Sequence, residues 1–205
     1  MDFLALDALA VKLMLGRKSH REREVGAAYD HGKRVSVGVI SLRKAVTDDD
    51  SHDDLLRAAA MFHDVGKGIE PHAHTGALLV RDYLQGHATQ EEIEVIARLI
   101  AAHDDRPPQE DQYYIWVRLL QDADLLDHYG TYDIWRCFSY YAYNGQVGIQ
   151  KAVDFMNNEN PQKIERHRRL LNYEVSRLIY DEKIAFESSF TKRLSIEASG
   201  GYCIS

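Results

Sequence analysis

Apolar residues recur at helical spacing along almost the whole chain, and no stretch alternates between apolar and polar positions as a β-strand does. The acidic turn at 47–50 and the stretch with glycine and proline at 66–71 are among the breaks that divide this pattern into about eight or nine helices. Thr89, followed by Glu91 and Glu92, is a typical N-cap for one of them. All four prolines lie at predicted helix ends, where the missing backbone N–H is tolerated. The pattern therefore predicts an all-α protein.

The first predicted helix, over residues 3–15, is apolar enough to raise the question of a signal peptide or a membrane anchor. Asp7 and Lys12 interrupt it, no basic segment precedes it, and no small-residue cleavage site follows it cleanly. Nothing in the chain approaches the run of about 18 apolar residues that a membrane span needs. We therefore expect an amphipathic helix, no membrane association and a cytoplasmic protein.

The last third of the chain differs in character from the rest. Residues 164–184 are predicted to form one long charged helix with an apolar stripe that passes through Leu171 and Leu178. Such a helix is typical of a packing element or of a dimer surface. We therefore predict a main domain over residues 1–160 and a C-terminal helical extension over 161–205, which packs on the same domain or forms a homodimer interface.

Composition narrows the classes of function. The 205 residues suffice for a full hydrophobic core, and 45% hydrophobic with 28% charged residues is ordinary for a globular protein. The net charge of −7 argues against nonspecific binding to a nucleic-acid backbone, which needs a broad basic surface, but it allows a nucleotide held by a few local Lys and Arg side chains. The two cysteines, Cys137 and Cys203, form neither a disulfide framework nor a CxxC metal site, which indicates a reducing compartment.

Histidine and aspartate residues stand at predicted helix ends or on helix faces that are otherwise apolar. They are His31, the adjacent pair His63-Asp64, His103 and Asp124. An aspartate among apolar neighbours is costly to bury unless it is paired or bound to a cation. Imidazole nitrogens combined with carboxylate oxygens form a mixed donor set that suits zinc, manganese or iron. This distribution predicts a divalent metal that activates a water molecule for hydrolysis.

The order of these residues resembles the H…HD…D pattern of the HD-domain superfamily of metal-dependent phosphohydrolases. Three stretches carry the resemblance, namely HGKRV at 31–35, FHDVGK at 62–67 and QDADLLDHYG at 121–130. Arg136 falls where small bacterial members of the family also carry an arginine. The chain departs from many relatives in having Leu125 instead of a basic residue directly after Asp124, so the substrates of those relatives are not carried over.

The resemblance implies an HD-type helical bundle in which one divalent metal is bound by His31, His63, Asp64 and Asp124. Two further imidazoles, those of His74 and His103, resemble the additional ligands of the dinuclear members of the family. One or two metal ions per chain are therefore expected. The candidate metals are manganese, zinc, nickel, magnesium and iron.

Further residues have predicted roles in catalysis or in substrate binding. Lys67 and Arg136 are candidate clamps for phosphoryl oxygens, and Arg34 of the first motif is assigned to substrate binding with them. The alternatives are a lysine favoured by the helix dipole and an arginine in an internal salt bridge. His103 is a candidate for proton transfer, with a helix-capping histidine as the alternative. Asp127 is a candidate for orienting a ligand or a water molecule, although an exposed acid explains it equally well.

Three functional hypotheses follow. The leading one is hydrolysis of a phosphate ester or anhydride in a nucleotide or a similar small phosphorylated metabolite. The second is a dinuclear-iron oxygenase of the HD type, which would use the same donor residues. The third is a non-catalytic, ligand-sensing helical domain with a structural metal. Metal content and the effect of Asp64→Ala on turnover distinguish the three.

Overall fold

The computed structural model describes residues 1–18, 24–105, 109–143, 149–158 and 160–202. Within these ranges the chain forms ten α-helices and one short π-helical segment, and no β-strand. The elements in chain order are α1 (Phe3–Ala10), the π-helical segment (Val11–Leu15), α2 (Ala27–Val46), α3 (Asp53–Phe62), α4 (His72–Tyr83), α5 (Gln90–Ala101), α6 (Tyr114–Asp127), α7 (Thr131–Tyr143), α8 (Ile149–Asn158), α9 (Asn160–Arg168) and α10 (Glu174–Ala198). The prediction of an all-α protein is confirmed.

Contacts divide the chain into two compact units, residues 1–124 and 125–205. The division falls inside α6 and differs from the predicted domain boundary after residue 160, which stays a prediction. Every residue of the metal set predicted above belongs to the first unit. Cys137 is a free, buried thiol in the second unit, whereas Cys203 lies outside the described residues.

The first unit is built around α3, which packs against α2 on one side and against α5 on the other, while α5 also packs against α4. Small residues of α3 permit this close packing of helices. Ala58, Ala59 and Ala60 are all completely buried. Gly32 of α2 lies so close to the carbonyl oxygen of Met61 that a Cβ atom at Gly32 would overlap it. The absence of side-chain bulk on both helices therefore sets how closely α2 approaches the end of α3.

The start of α5 follows its sequence signal. Thr89 is the N-cap, and its side chain accepts a hydrogen bond from the backbone N–H of Glu92 at 3.3 Å. The carboxylate of Glu92 in turn accepts one from the backbone N–H of Thr89 at 2.8 Å, which completes a capping box. The helix then buries its apolar face in the first unit, and His103 lies two residues beyond its last residue.

Residues 3–15 are helical as predicted, in the form of α1 followed by the π-helical segment. Leu6, Ala10 and Met14 are buried, and Lys12 is exposed, but the apolar side chain of Leu4 is also largely exposed. Among the described residues no helix has an apolar stretch long enough to cross a membrane.

In the second unit the prediction of one helix over residues 164–184 is wrong. The segment is a pair of helices, since α9 ends at Arg168 and α10 begins at Glu174. Arg168 Nε and Nη2 each donate to a different carboxylate oxygen of Asp181 at 2.7 Å, although thirteen residues of continuous helix would separate the two by about 20 Å. The Tyr180 hydroxyl also donates to the carbonyl oxygen of Ile164 at 2.9 Å. These contacts between α9 and α10 stabilise a turn that hydrophobic periodicity does not predict.

Candidate metal centre

Side chains from α2, the end of α3, the end of α5 and α6 converge in the first unit. His31, His63, Asp64 and His103 are all buried, and the Asp124 side chain is about one-fifth exposed. Overlapping sets of these residues place one ligand atom each within 4.8 Å of one another, which fits a metal ion. The structure thus brings together His31, His63, Asp64, His103 and Asp124, which the sequence had singled out.

Three donor atoms form the tightest part of this cluster. Nε2 of His31 lies 2.9 Å from Oδ1 of Asp124 and 3.2 Å from Nε2 of His63. Nε2 of His63 lies 3.5 Å from the same Asp124 oxygen. Ligands about 2.1 Å from a common ion are about 3.0 to 3.4 Å apart in octahedral or tetrahedral coordination. The three atoms therefore have the mutual spacing of ligands that share one ion.

The ends of two helices fix which imidazole nitrogen faces the cluster. Nδ1 of His63 is 2.8 Å from the carbonyl oxygen of Ala60, and Nδ1 of His103 is 2.7 Å from that of Ile100. Both carbonyls lie in the last turn of a helix, where the regular i to i+4 hydrogen bonds end. A carbonyl oxygen only accepts, so in each ring Nδ1 carries a hydrogen, and the neutral form of the ring presents the lone pair of Nε2 to the cluster. This is the tautomer that a metal ligand requires.

Asp64 supplies the clearest sign that a cation belongs here. Its Oδ1 atom is buried and accepts no hydrogen bond from any residue that the structure describes. Burial alone would raise the pKa of Asp64, but the neighbouring charges of His63 and Lys67 outweigh burial and hold this pKa well below its usual range. Lys67 Nζ lies 3.3 Å from this oxygen and forms an ion pair with it but no hydrogen bond, and a buried, ionised carboxylate is costly unless cations compensate it. The residues present therefore fit a divalent metal.

Electrostatics distinguishes the two buried histidines beside Asp64. Burial lowers the pKa of His63, but the carboxylates of Asp64 and Asp124 more than offset it and the net shift is upward. For His103 burial again lowers the pKa, and the charge of nearby His63 lowers it further. The carboxylates are therefore concentrated around His63, at the centre of the cluster.

The fourth histidine of the cluster is His72, whereas His74 was the one predicted. Nε2 of His72 lies 3.5 Å from Oδ1 of Asp64 and 3.2 Å from Oδ2 of Asp104, and His72 forms a possible metal-binding group with Asp64 and His103. His74 is exposed on α4 and belongs to no such group among the described residues. Both imidazoles belong to the sequence His-Ala-His, and the local sequence does not predict which of the two faces the cluster.

Packing of the turn after α3 explains the choice of His72. A Cβ atom at Gly66 would overlap the carbonyl oxygen of His72 and come within 2.6 Å of the backbone nitrogen of Gly76. The glycine therefore lets the turn that follows Asp64 lie directly on the first turns of α4. Residue 72 faces that turn, and residue 74 points about 200° away around the helix.

The predicted substrate-binding residues occupy different places. Lys67 Nζ is 3.3 Å from Asp64 Oδ1 and 3.3 Å from His72 Nε2, at the edge of the cluster. Arg34 is half-buried on α2, one turn after His31. Arg136 lies in the second unit, where its guanidinium contacts Asp133 and, at 2.9 Å, Nδ1 of His128.

Asp127, the predicted orienting residue, is half-buried as the last residue of α6. It belongs to the second unit and to no possible metal-binding group found among the described residues. Its predicted role stays a prediction, as do the substrate-binding roles of Arg34 and Arg136.

Comparison with known proteins gives a family and a fold. The family model described as HD domain matches residues 28–129, which contain all the residues of the cluster. No protein with a curated description matches the chain.

Three solved structures have the same overall fold. Bacillus subtilis YpgQ in complex with ADP shares 18% identity over 94% of this chain and 97% of its own, with a TM-score of 0.63. An HD-superfamily hydrolase from Bacillus thuringiensis shares 20% identity over 97% of this chain and 99% of its own, with a TM-score of 0.66. A Lactobacillus plantarum protein shares 19% over 96% of each chain, with a TM-score of 0.62. At these identities the likeness is one of fold.

Proposed function

The chain belongs to the HD-domain superfamily, and from this membership we propose that it is a metal-dependent phosphohydrolase that acts on a nucleotide or a similar small phosphorylated metabolite. The observation that carries the proposal is the convergence of His31 Nε2, His63 Nε2 and Asp124 Oδ1 within 3.5 Å, beside an Asp64 oxygen that lacks a hydrogen-bond donor among the described residues. The ADP complex of Bacillus subtilis YpgQ supports a nucleotide as the ligand to test first.

His31, His63, Asp64 and Asp124 are the proposed ligands of one divalent cation, with manganese, zinc, nickel, magnesium and iron as candidates. Such a cation lowers the pKa of a bound water from about 15.7 to about 7 and neutralises charge on phosphoryl oxygens. The protein's contribution is to hold the donor atoms in place before the ion arrives. The hydrogen bonds from Nδ1 of His63 and of His103 to helix-end carbonyls serve this purpose, because they prevent rotation of the rings.

Lys67 is the proposed contact for a phosphoryl oxygen. Its ammonium group is about one-quarter exposed and lies beside the Asp64 carboxylate, so it can reach an anionic ligand without leaving the cluster. Arg34 and Arg136 are proposed as further substrate contacts and Asp127 as an orienting group. His103 is proposed either to transfer a proton through Nε2 or to bind a second metal through the same atom, since Nδ1 is already engaged.

Phosphate release by the full-length protein tests the proposal. Nucleoside mono-, di- and triphosphates are supplied with each candidate metal in turn, and the products are identified by phosphorus NMR. We expect metal-dependent turnover that Asp64→Asn lowers by at least about a hundredfold, because loss of a residue that only hydrogen-bonds to a metal ligand already costs about 10- to 100-fold, and Asp64 is itself a proposed ligand. Asp82→Asn, which removes an exposed carboxylate on α4, is the matched control. Equal turnover by Asp64→Asn and the parent protein would exclude the proposed site.

A dinuclear-iron oxygenase is the second candidate, and one observation favours it. Asp64 belongs both to the group with His31 and His63 and to the group with His72 and His103, so its carboxylate is placed to be shared by two ions. Two irons per chain after anaerobic purification, with oxygen consumption and no phosphate release, would support this function.

The non-catalytic alternative gives a different result in the same experiments. A structural metal predicts that Asp64→Ala lowers the melting temperature while no turnover is found in the parent protein with any metal.

A further inference from the structure

The basic residues of α9 and of the turn that directly follows it form two groups, which differ in how their charge is compensated. Arg168 forms a two-bond ion pair with Asp181, and Arg169 pairs with Glu165 at 2.9 Å. Lys163 and Arg166 form no ion pair with any residue in the described part of the chain. Two cations of α9 therefore have no counter-ion among the residues that the structure describes.

These two cations lie on one face of α9, because residues three apart are neighbours on a helix. Lys163 Nζ sits 5.5 Å from the centre of the Tyr129 ring, within the range of a cation–π contact. Arg166 Nη2 is 3.5 Å from Nε2 of His167, and Nδ1 of His167 is 2.7 Å from the Tyr129 hydroxyl. Lys163, Arg166 and His167 thus form a continuous group of nitrogen donors, here called the α9 cluster, around a fully buried tyrosine.

The two acids whose charges act on Lys163, Asp133 and Glu187, do not neutralise the α9 cluster. Asp133 is buried and already forms an ion pair with Arg136 of α7. Glu187 of α10 is also buried; one oxygen accepts from the backbone N–H of Gly130, and burial raises the pKa of its carboxyl group to about 7. A carboxyl group with that pKa is only partly ionised near neutral pH, so it compensates little positive charge.

The titrations of the α9 cluster agree with a surplus of positive charge. Burial lowers the pKa of Lys163, and the charge of Arg136 lowers it further in spite of Asp133 and Glu187. Burial, followed by the charges of Lys163 and Arg166, lowers the pKa of His167 to about 4. Like charges held together in this way destabilise the free protein, and an anion bound among them removes that cost.

We propose that the α9 cluster is a binding site for a phosphate-bearing anion, with Lys163 and Arg166 as its two charged contacts. The guanidinium fork of arginine matches two phosphate oxygens, while the ammonium group of lysine acts as a point charge beside them. The site lies wholly in the second unit and uses none of the proposed metal ligands. It goes beyond the hydrolysis proposed above, and since the charge of Arg136, a proposed substrate contact, also acts on Lys163, anion binding is tested without metal so that it is measured apart from turnover.

Calorimetric titration of pyrophosphate into the full-length protein, with a chelator present and at low salt, tests this site without the metal centre. We expect saturable binding that Lys163→Met weakens about tenfold and that Lys163→Arg retains, in keeping with the loss of one charge-assisted contact. Lys151→Met removes an exposed lysine on α8 and is the matched control for the change in net charge.

Two outcomes would overturn the proposal. One is no binding of pyrophosphate by the parent protein at millimolar concentration. The other is equal affinity in Lys163→Met and Lys151→Met. Titrations with inorganic phosphate and with a nucleoside diphosphate, run beside pyrophosphate, identify which source of phosphate groups binds more tightly. Melting temperatures and circular dichroism of all variants establish that each is folded, and Lys163→Arg gives the answer if Lys163→Met is not.

Discussion

A Cβ atom on Gly32 would overlap the carbonyl oxygen of Met61, because α2 and α3 approach too closely at this place for any side chain on residue 32. His31 directly precedes Gly32, and His63 lies two residues after Met61. The Nε2 atoms of the two histidines are 3.2 Å apart. The distance between two proposed metal ligands is therefore set by a glycine that binds nothing itself.

Gly32→Ala is expected to weaken metal binding without changing any ligand. The added Cβ overlaps Met61, so α2 and α3 must separate, and overpacking of this kind costs about 1 to 3 kcal/mol of unfolding free energy. Gly38→Ala on the same helix is the control, because nothing lies within 4 Å of its Cβ position and alanine should stabilise the helix there by up to about 1 kcal/mol. Urea denaturation and metal titration measure both effects. Equal metal affinity in the two variants would contradict this account.

His72→Ala and His74→Ala are expected to differ although the residues are only two positions apart. His72 Nε2 faces Asp64 at 3.5 Å, whereas His74 is exposed on α4. Removal of His72 should lower the affinity for a second metal ion by about ten- to a hundredfold, and removal of His74 should have little effect. Metal stoichiometry by mass spectrometry after dialysis gives the comparison. A larger loss in His74→Ala would restore the ligand set first predicted from the sequence.

Metal removal is expected to lower the stability of the parent protein much more than that of Asp64→Asn. A ligand that binds only the folded state at about a hundred times its dissociation constant stabilises that state by about 2.7 kcal/mol. A chelator should therefore lower the melting temperature of the metal-loaded parent and leave Asp64→Asn almost unchanged. If both proteins respond equally to the chelator, the metal is bound elsewhere.

Glu187→Gln is expected to stabilise the protein above neutral pH. The pKa of Glu187 rises from 4.5 to about 7 on folding because the side chain is buried, so the folded state retains a proton that the unfolded state has released. Between these two values stability falls as pH rises, and the loss is complete above the folded-state pKa. Glutamine keeps an acceptor for the backbone N–H of Gly130 and has no such titration. Unfolding free energies at pH 5 and pH 8 should show a smaller decrease for the variant, and parallel curves would disprove the assignment.

His167 should produce a pH effect in the opposite direction. Its pKa falls from 6.5 to about 4 on folding, through burial and then through the charges of Lys163 and Arg166, so the unfolded state binds a proton first as the solution is acidified. The stabilising contribution is complete above pH 6.5 and is lost as pH falls through the folded-state value. His167→Gln should therefore reduce the loss of stability between pH 6.5 and pH 4. The measurement is the difference in unfolding free energy between the variant and the parent protein at each pH. This difference removes the contribution of the other titrating groups.

The residues of the candidate site were predictable to the extent that their chemistry is local. His63 and His103 each lie at the end of an apolar helix, and in both the ring nitrogen Nδ1 bonds to the carbonyl oxygen three residues earlier, which orients the ring. Asp124 lies among apolar neighbours, where a carboxylate has to be compensated. These features are present in the amino-acid order, and the structure brings all of them to one place.

The all-α fold and most helices were determined by the sequence itself, because the period of 3.6 residues is a property of each segment alone. Two details were decided only by tertiary structure. The break between α9 and α10 depends on the ion pair of Arg168 with Asp181, whose partners are distant along any single helix. The selection of His72 over His74 depends on Gly66, which lets the turn after α3 rest on one side of α4. Both depend on contacts between segments, and periodicity within a segment carries no information about them.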